Sequence, residues 1–337
     1  MTDTNENKTY LKPSVLVVSH APHINGSDTV PKIMLDVIIA LMPALIAGVF
    51  VFGMRALIVA LTCVVSSAAA EYIWCRILKK PNSTGDLSAV VTGLILALNV
   101  PASLPLWMAV IGSVFAIIIV KQFFGGIGHN FMNPALGARA FLMASWALAM
   151  TRWYTPGTHL PLFGVPDAVT SATPLAASSA DKFSYLTLFL GNHGGCIGET
   201  SALAILIGAA YLVIRRVIRL RVPLIFIGTV AVGTWIFGGS GGLFTGDPLY
   251  QILSGGLMLG ACFMATDYTT SPTTPKGQIV FALGCGIITV LIRIWGGYPE
   301  GVSYSILLMN VATPLIERLT APKRYGFVKE KEAAANE

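Results

Sequence analysis

Gly93-Leu94-Ile95-Leu96-Ala97-Leu98-Asn99-Val100-Pro101 decides how this chain folds. It begins as a membrane-grade helix and stops early. The apolar run holding it, 87–100, is too short for a spanning helix, which needs roughly 20 apolar residues. A second stretch, Gly256-Leu257-Met258-Leu259-Gly260, matches residues 93–97. Its run, 249–266, is interrupted by Ser254-Gly255-Gly256. Each stretch is followed by a turn region, an apolar span, a basic residue, a Gly-Gly pair and an Asn-containing stretch. These are Lys121, Gly125-Gly126 and Asn133-Pro134 in one case, and Arg293, Gly296-Gly297 and Asn310 in the other.

Outward from this pair, apolar runs fall at 33–53, 55–75, 87–100, 104–120, 132–150, 200–218, 223–240, 249–266, 278–295 and 301–318. The expected fold is an all-α integral membrane protein of about ten spans. The interrupted runs are third and eighth, so they hold equivalent places in two five-span halves. An odd number of spans per half turns one half over relative to the other. Inverted repeats with broken helices frame a site near the bilayer midplane. Broken helices also leave backbone groups unpaired at membrane depth, which persists only inside protein or along a hydrated cavity. The repeat therefore implies a conduit or a cofactor pocket between the halves. The expected organisation is an amino-terminal segment (1–32), a first half (33–150), a long connection (151–199), a second half (200–318) and a tail (319–337).

Composition agrees with a membrane protein. Of 337 residues, 54% are hydrophobic and 11% charged, against about 25% charged in soluble domains; mean hydropathy is +0.72. The net charge of +6 lies between apolar segments and not on one basic face, which excludes nucleic acid and points to orientation in a bilayer. With the amino terminus in the cytoplasm, 17 of the 22 Lys and Arg fall on the cytoplasmic side, Lys121 among them. Arg55, Arg139, Arg152, Lys182 and Arg293 remain. Both termini are then cytoplasmic and the 151–199 connection is outside. The amino-terminal segment lacks the pattern of a cleaved signal peptide. Four of the five cysteines lie in or beside apolar runs and read as small buried hydrophobes; Cys196 sits in a connection, where a thiol can be reactive. No C-x-x-C pair occurs, so a zinc ribbon or a self-contained iron–sulfur site is not expected.

The outer connection carries a polar island, Asp167-Ala168-Val169-Thr170-Ser171-Ala172-Thr173-Pro174-Leu175. Ser and Thr commonly build solvated loops. A threonine held out on such a loop is also a good acceptor for a large polar group. Thr173 has no adjacent base of the kind a catalytic threonine needs, so another enzyme would have to modify it.

Asp167-x-x-Thr170-Ser171-Ala172-Thr173 resembles the pattern D-x-x-[ST]-G-A-T, at which a dedicated flavin transferase joins FMN to threonine through a phosphoester. Ser171 replaces the usual glycine. The similarity runs from about residue 15 to residue 320. It includes Ala21-Pro22-His23-Ile24, the stretch 85–93 (Gly-Asp-Leu-Ser-Ala-Val-Val-Thr-Gly) and the stretch 125–135 (Gly-Gly-Ile-Gly-His-Asn-Phe-Met-Asn-Pro-Ala). It continues through 195–201 (Gly-Cys-Ile-Gly-Glu-Thr-Ser) and Met264-Ala265-Thr266-Asp267. In this ordered set the chain resembles the D subunit of Rnf-type electron transport complexes, related to the B subunit of the sodium-pumping NADH:quinone reductase.

That resemblance implies a urea-transporter-like bundle of two inverted halves in a bacterial or archaeal cytoplasmic (inner) membrane. It implies covalent FMN on Thr173, and a second, non-covalent flavin, riboflavin, near Asn130 and Asn133. Amide groups suit the donor and acceptor edge of an isoalloxazine ring. The other reading of Asn133-Pro134 is a turn into the fifth span. The implied role is electron relay within a multi-subunit ferredoxin:NAD+ oxidoreductase that moves Na+ or H+. No nucleotide fingerprint follows a strand and no cysteine cluster is present, so NADH and ferredoxin-type centres belong to partner subunits. This chain carries no catalytic residue or metal ligand of its own in this reading. The rivals are a small-solute channel or transporter of the same fold, and an assembly scaffold.

Ionisable groups in or beside the spans are Asp36, Glu71, Asp86, Arg139, Glu199, Asp267 and Arg293. Charges inside membranes often mark ion paths. Asp36, Asp86, Glu199 and Asp267 also suit helix-capping or loop positions.

Overall fold

The computed structural model describes residues 28–157, 173–175, 183–239, 242–296 and 300–322. Its regular elements are helices, with no strand among the described residues. The first segment holds α1 (Val30–Phe52), α2 (Met54–Ile77), α3 (Ser88–Leu98), α4 (Leu106–Val114), α5 (Pro134–Ser145) and the short α6 (Ala147–Met150). The connection contributes α7 (Tyr185–Leu190). The second segment holds α8 (Ala202–Ile214), α9 (Arg221–Phe237), α10 (Pro248–Leu253), α11 (Leu257–Leu259), α12 (Pro275–Trp295) and α13 (Val302–Thr320).

Helix starts follow local chemistry. Asn133, Asp247 and Thr274 each precede a proline and accept a backbone N–H of the first turn, the arrangement that satisfies orphan donors where proline has none to offer. Gly53, at φ +75°, divides α1 from α2. Two segments widen to π geometry: Phe115–Gln122, which continues α4, and Gly260–Met264, which continues α11. The first of these turns both Lys121 and Gln122 inward.

α1, α2 and α12 are long and apolar enough to cross a membrane. α3 and the α10–α11 pair are short, as their interrupted sequences require. Large apolar side chains such as Phe50, Val65, Leu224 and Leu315 face outward, while Arg55, Glu71, Lys121, Arg139 and Glu199 are buried. This distribution, with hydrocarbon outside and charge within, is that of an integral membrane protein.

α2 packs on α3 and α4, and α9 packs on α10 and α12. The two segments meet where α1 lies against α8 and α5 against α13. Small residues allow close approach: a Cβ on Gly208 of α8 would come within 1.9 Å of the Ala40 carbonyl of α1.

Candidate functional site

Among the described residues two buried polar centres stand out; the stretches 85–93, 125–135 and 264–267 meet at the first and 195–201 contributes to the second. The first is a pocket with a cavity volume of about 110 Å³. Ser88 and Thr92 reach it from the 85–93 stretch, Asn130 and Asn133 from 125–135, and Thr266 and Asp267 from 264–267. Ile95, Phe263 and other apolar side chains form its walls. Motifs far apart in sequence thus converge on one cavity.

Asn133 makes the turn into α5 and also borders the pocket. Its Oδ1 accepts from the N–H groups of Ala135 and Leu136, at 3.1 and 3.4 Å, and so caps α5; it also lines the pocket. Asn130 donates to the Met132 carbonyl and to Thr269 Oγ1, each at 3.1 Å. Among the described residues, Asn130 Oδ1 and Asn133 Nδ2 keep capacity for a ligand. Asp267 lies beyond the helices, in a turn where Thr269 and Thr270 hydroxyls donate to its Oδ2 at 3.1 Å. Burial pushes its carboxyl up; hydrogen bonds from Thr269 and Thr270 pull the other way without cancelling the rise.

Beside this pocket, Lys121 Nζ donates to Glu71 Oε1 at 2.8 Å and to Ser88 Oγ at 2.5 Å. Gln122 and Ser83 also donate to that Glu71 oxygen. The charge pattern puts Lys121 among the cytoplasmic loop residues; the π turn draws it inside instead, 3% exposed. Asp36 is not a helix cap. It sits inside α1 and accepts from Tyr211 at 2.8 Å and Arg215 at 3.2 Å, linking α1 to the end of α8. Asp86 stands one residue before the Leu87 cap position of α3, and its Oδ1 accepts from the Ser88 N–H at 2.8 Å.

The second centre forms where α3 ends. Arg139 of α5 donates to Asn99 Oδ1 at 2.8 Å, contacts Glu300, and lies 3.6 Å from Glu199 Oε1 and 3.7 Å from Cys196 Sγ. The Cys196 thiol reaches the Asn99 carbonyl at 3.3 Å. Cys196 is fully buried, which removes the accessible thiol that its place in a connection suggests. Glu199 does not cap α8, a role held by Ser201; its Oε2 accepts the Cys196 N–H at 3.3 Å. Arg55 and Arg139, expected with the outer charges, are both buried. Arg55 donates to the Leu104 carbonyl at 3.1 Å. Glu300 is not among the ionisable groups that the sequence marks, because it falls between the apolar runs 278–295 and 301–318.

Thr173 is buried, 4% exposed, where the polar island suggests an outward-held side chain. Its Oγ1 has no hydrogen-bond partner among the described residues. Tyr250 Oη donates to the carbonyl of Pro174 at 3.0 Å, and Leu175 packs on Gly255 at the α10–α11 break. The end of the island therefore rests on the interrupted helix. Asp167, Thr170, Ser171 and Ala172 lie outside the described residues.

The model of the NQR2, RnfD, RnfE family matches residues 17–326. The chain belongs to that family. It is 53% identical over 325 residues to the D subunit of the Na+-translocating ferredoxin:NAD+ oxidoreductase complex of Acetobacterium woodii, covering 95% of this chain and 98% of the relative. It is 45% identical to the D subunit of the proton-translocating ferredoxin:NAD+ oxidoreductase complex of Clostridium ljungdahlii, covering 94% and 98%. It is 38% identical to the D subunit of the ion-translocating oxidoreductase complex of Stutzerimonas stutzeri, covering 89% and 93%. Family members so named are parts of multi-subunit redox complexes that move ions. The relatives divide between Na+ and H+, so family membership leaves the ion open.

Proposed function

We propose that this chain is the D-type membrane subunit of a ferredoxin:NAD+ oxidoreductase complex that translocates Na+ or H+, and that it relays electrons through FMN esterified to Thr173. The observation that carries the reading is near-complete coverage of relatives named as D subunits, at up to 53% identity. The ten spans, their two inverted halves, cytoplasmic termini and an outer 151–199 connection belong to the same proposal. The paired packing of α2 with α3 and α4, and of α9 with α10 and α12, supports the repeat.

Observations at both places support this reading. A buried threonine hydroxyl without a partner is free to carry an ester, and Tyr250 fixes the adjoining carbonyl. The cavity beside Asn130 and Asn133 combines apolar walls with amide groups, which suits a riboflavin-type ring held without a covalent bond. A bound flavin supplies a carrier that accepts two electrons and passes them on singly. The chain's own residues bind, orient and shield. Asn133 holds the start of α5 in place, Asn130 ties that turn to Thr269, and the Lys121–Glu71 pair keeps the adjoining charges balanced. Other subunits would supply the ferredoxin and NAD+ sites, and a flavin transferase would load Thr173.

The test is fluorescence of the denatured protein on a gel, after production in a host with the transferase. A bright band that disappears in Thr173→Ala supports the relay. A dark wild-type band favours a solute conduit of the same architecture.

A further inference from the structure

Arg139 gathers an unusual set of groups. Glu199 comes from the connection before α8, Glu300 from the connection between α12 and α13, and Arg139 from α5. Oxygens of the two carboxylates and the Cys196 sulfur lie within 4.8 Å of one another. Glu199 is 3% exposed. Its Oε1 and Glu300 Oε1 are both without a hydrogen-bond partner among the described residues, although Arg139 satisfies Glu300 Oε2. Glu199 Oε1 lies against the bare backbone of Gly256, where a Cβ would meet it at 2.8 Å.

Two carboxylates confined together out of water repel one another, and such a pair relieves the repulsion by keeping one proton. A proton on one of them also gives the unpartnered oxygens a donor to share. The surrounding groups do not remove this need. Arg139 donates to Asn99, Cys196 and Glu300; it also pairs with Glu199 Oε1 at 3.6 Å, but without a hydrogen bond, so that oxygen still lacks a donor. Arg293 of α12 is directed to the carbonyls of Gln251 and Ser254, at 2.6 and 3.2 Å. His193 comes near Gly195, as Glu199 does, but its Nδ1 is engaged by the Gly194 carbonyl and its Nε2 bonds neither carboxylate. A metal ion fits less well, because Arg139 contacts the thiol and one carboxylate of the donor set and would have to leave.

We propose that Glu199 and Glu300 together hold one exchangeable proton, making this cluster a proton-binding site between the first and second segments. The proton comes from water and returns to water, and no electron moves in the step. Filling the site adds one positive charge to the cluster. Occupancy therefore changes the balance at Arg139, the residue that joins α5 to the second segment. This inference does not depend on a flavin at Thr173.

Infrared spectroscopy of the intact complex, with glutamate labelled by ¹³C at the side-chain carboxyl, tests it. Exposed glutamates titrate near about 4.3 and are ionised at neutral pH. The expected result is a label-sensitive C=O band of one protonated carboxyl that persists at pH 7 and fades as pH rises. Both Glu199→Gln and Glu300→Gln should remove it. Exchanging choline for Na+ should leave it unchanged. Absence of the band in the wild-type complex at pH 7 overturns the proposal even if neither variant folds. Survival of the band in both variants overturns it too. Displacement of the band by Na+ would make this a sodium site, contrary to the proposal.

Discussion

Glu71 and Lys121 lie 50 positions apart and meet at 2.8 Å, one fully buried and the other 3% exposed. Removing one partner leaves a charge without its counter-ion in the interior, a change that costs about 3–5 kcal/mol. Lys121→Met and Glu71→Gln should each lower the thermal midpoint of the purified protein in detergent. The double variant should recover part of the loss. Equal or greater loss in the double variant would show that the pair does not act as a unit.

The contact of α1 with α8 depends on Gly208. A methyl group there meets the Ala40 backbone at 1.9 Å, and backbone cannot turn aside as a side chain can. Gly208→Ala should destabilise by about 1–3 kcal/mol, the range of overpacking. Gly228 of α9 has nothing within 4 Å of the same methyl position. Gly228→Ala should be neutral or stabilise by up to about 1 kcal/mol through helix propensity. Thermal unfolding of the two variants, side by side, measures the difference.

Asn130 and Asn133 both border the pocket, but of the two Asn133 caps α5. Asn133→Ala should cost about 1 kcal/mol through loss of the α5 cap, and Asn133→Ser should restore most of it. Asn130→Ala leaves the cap intact. It should lower the flavin released from the protein by acid, without changing the flavin that stays attached to the chain. Absorbance of the supernatant and pellet after precipitation gives both quantities.

Much of the fold is legible in the sequence because a helix in hydrocarbon must be long and apolar. The early stop at Asn99-Val100-Pro101 and the Ser254-Gly255-Gly256 interruption correspond to short α3 and to the divided α10 and α11. The pocket is legible in part: Asn130 and Asn133 line it. That Ser88 and Asp267 join them depends on packing among distant segments, which spacing does not encode. The charge cluster is hidden for the same reason. Arg139 and Glu199 stand out as ionisable groups near spans, but Glu300 falls in the short connection between two apolar runs, where a charge is unremarkable. A charge count puts Lys121 in a cytoplasmic loop because it assumes that basic residues at span ends face water. Here the π turn and Glu71 hold it inside. Burial of Thr173 is equally invisible, since a hydroxyl-rich stretch gives no sign of the Tyr250 bond that holds its neighbour.

The claim on which the functional account stands is that Thr173 carries flavin. Peptide mass spectrometry of the mature chain, from cells that contain the transferase, measures this directly. The account predicts a peptide heavier by one FMN less one water, with the added mass located on Thr173 and absent from Thr173→Ala. An unmodified Thr173 in those cells contradicts it.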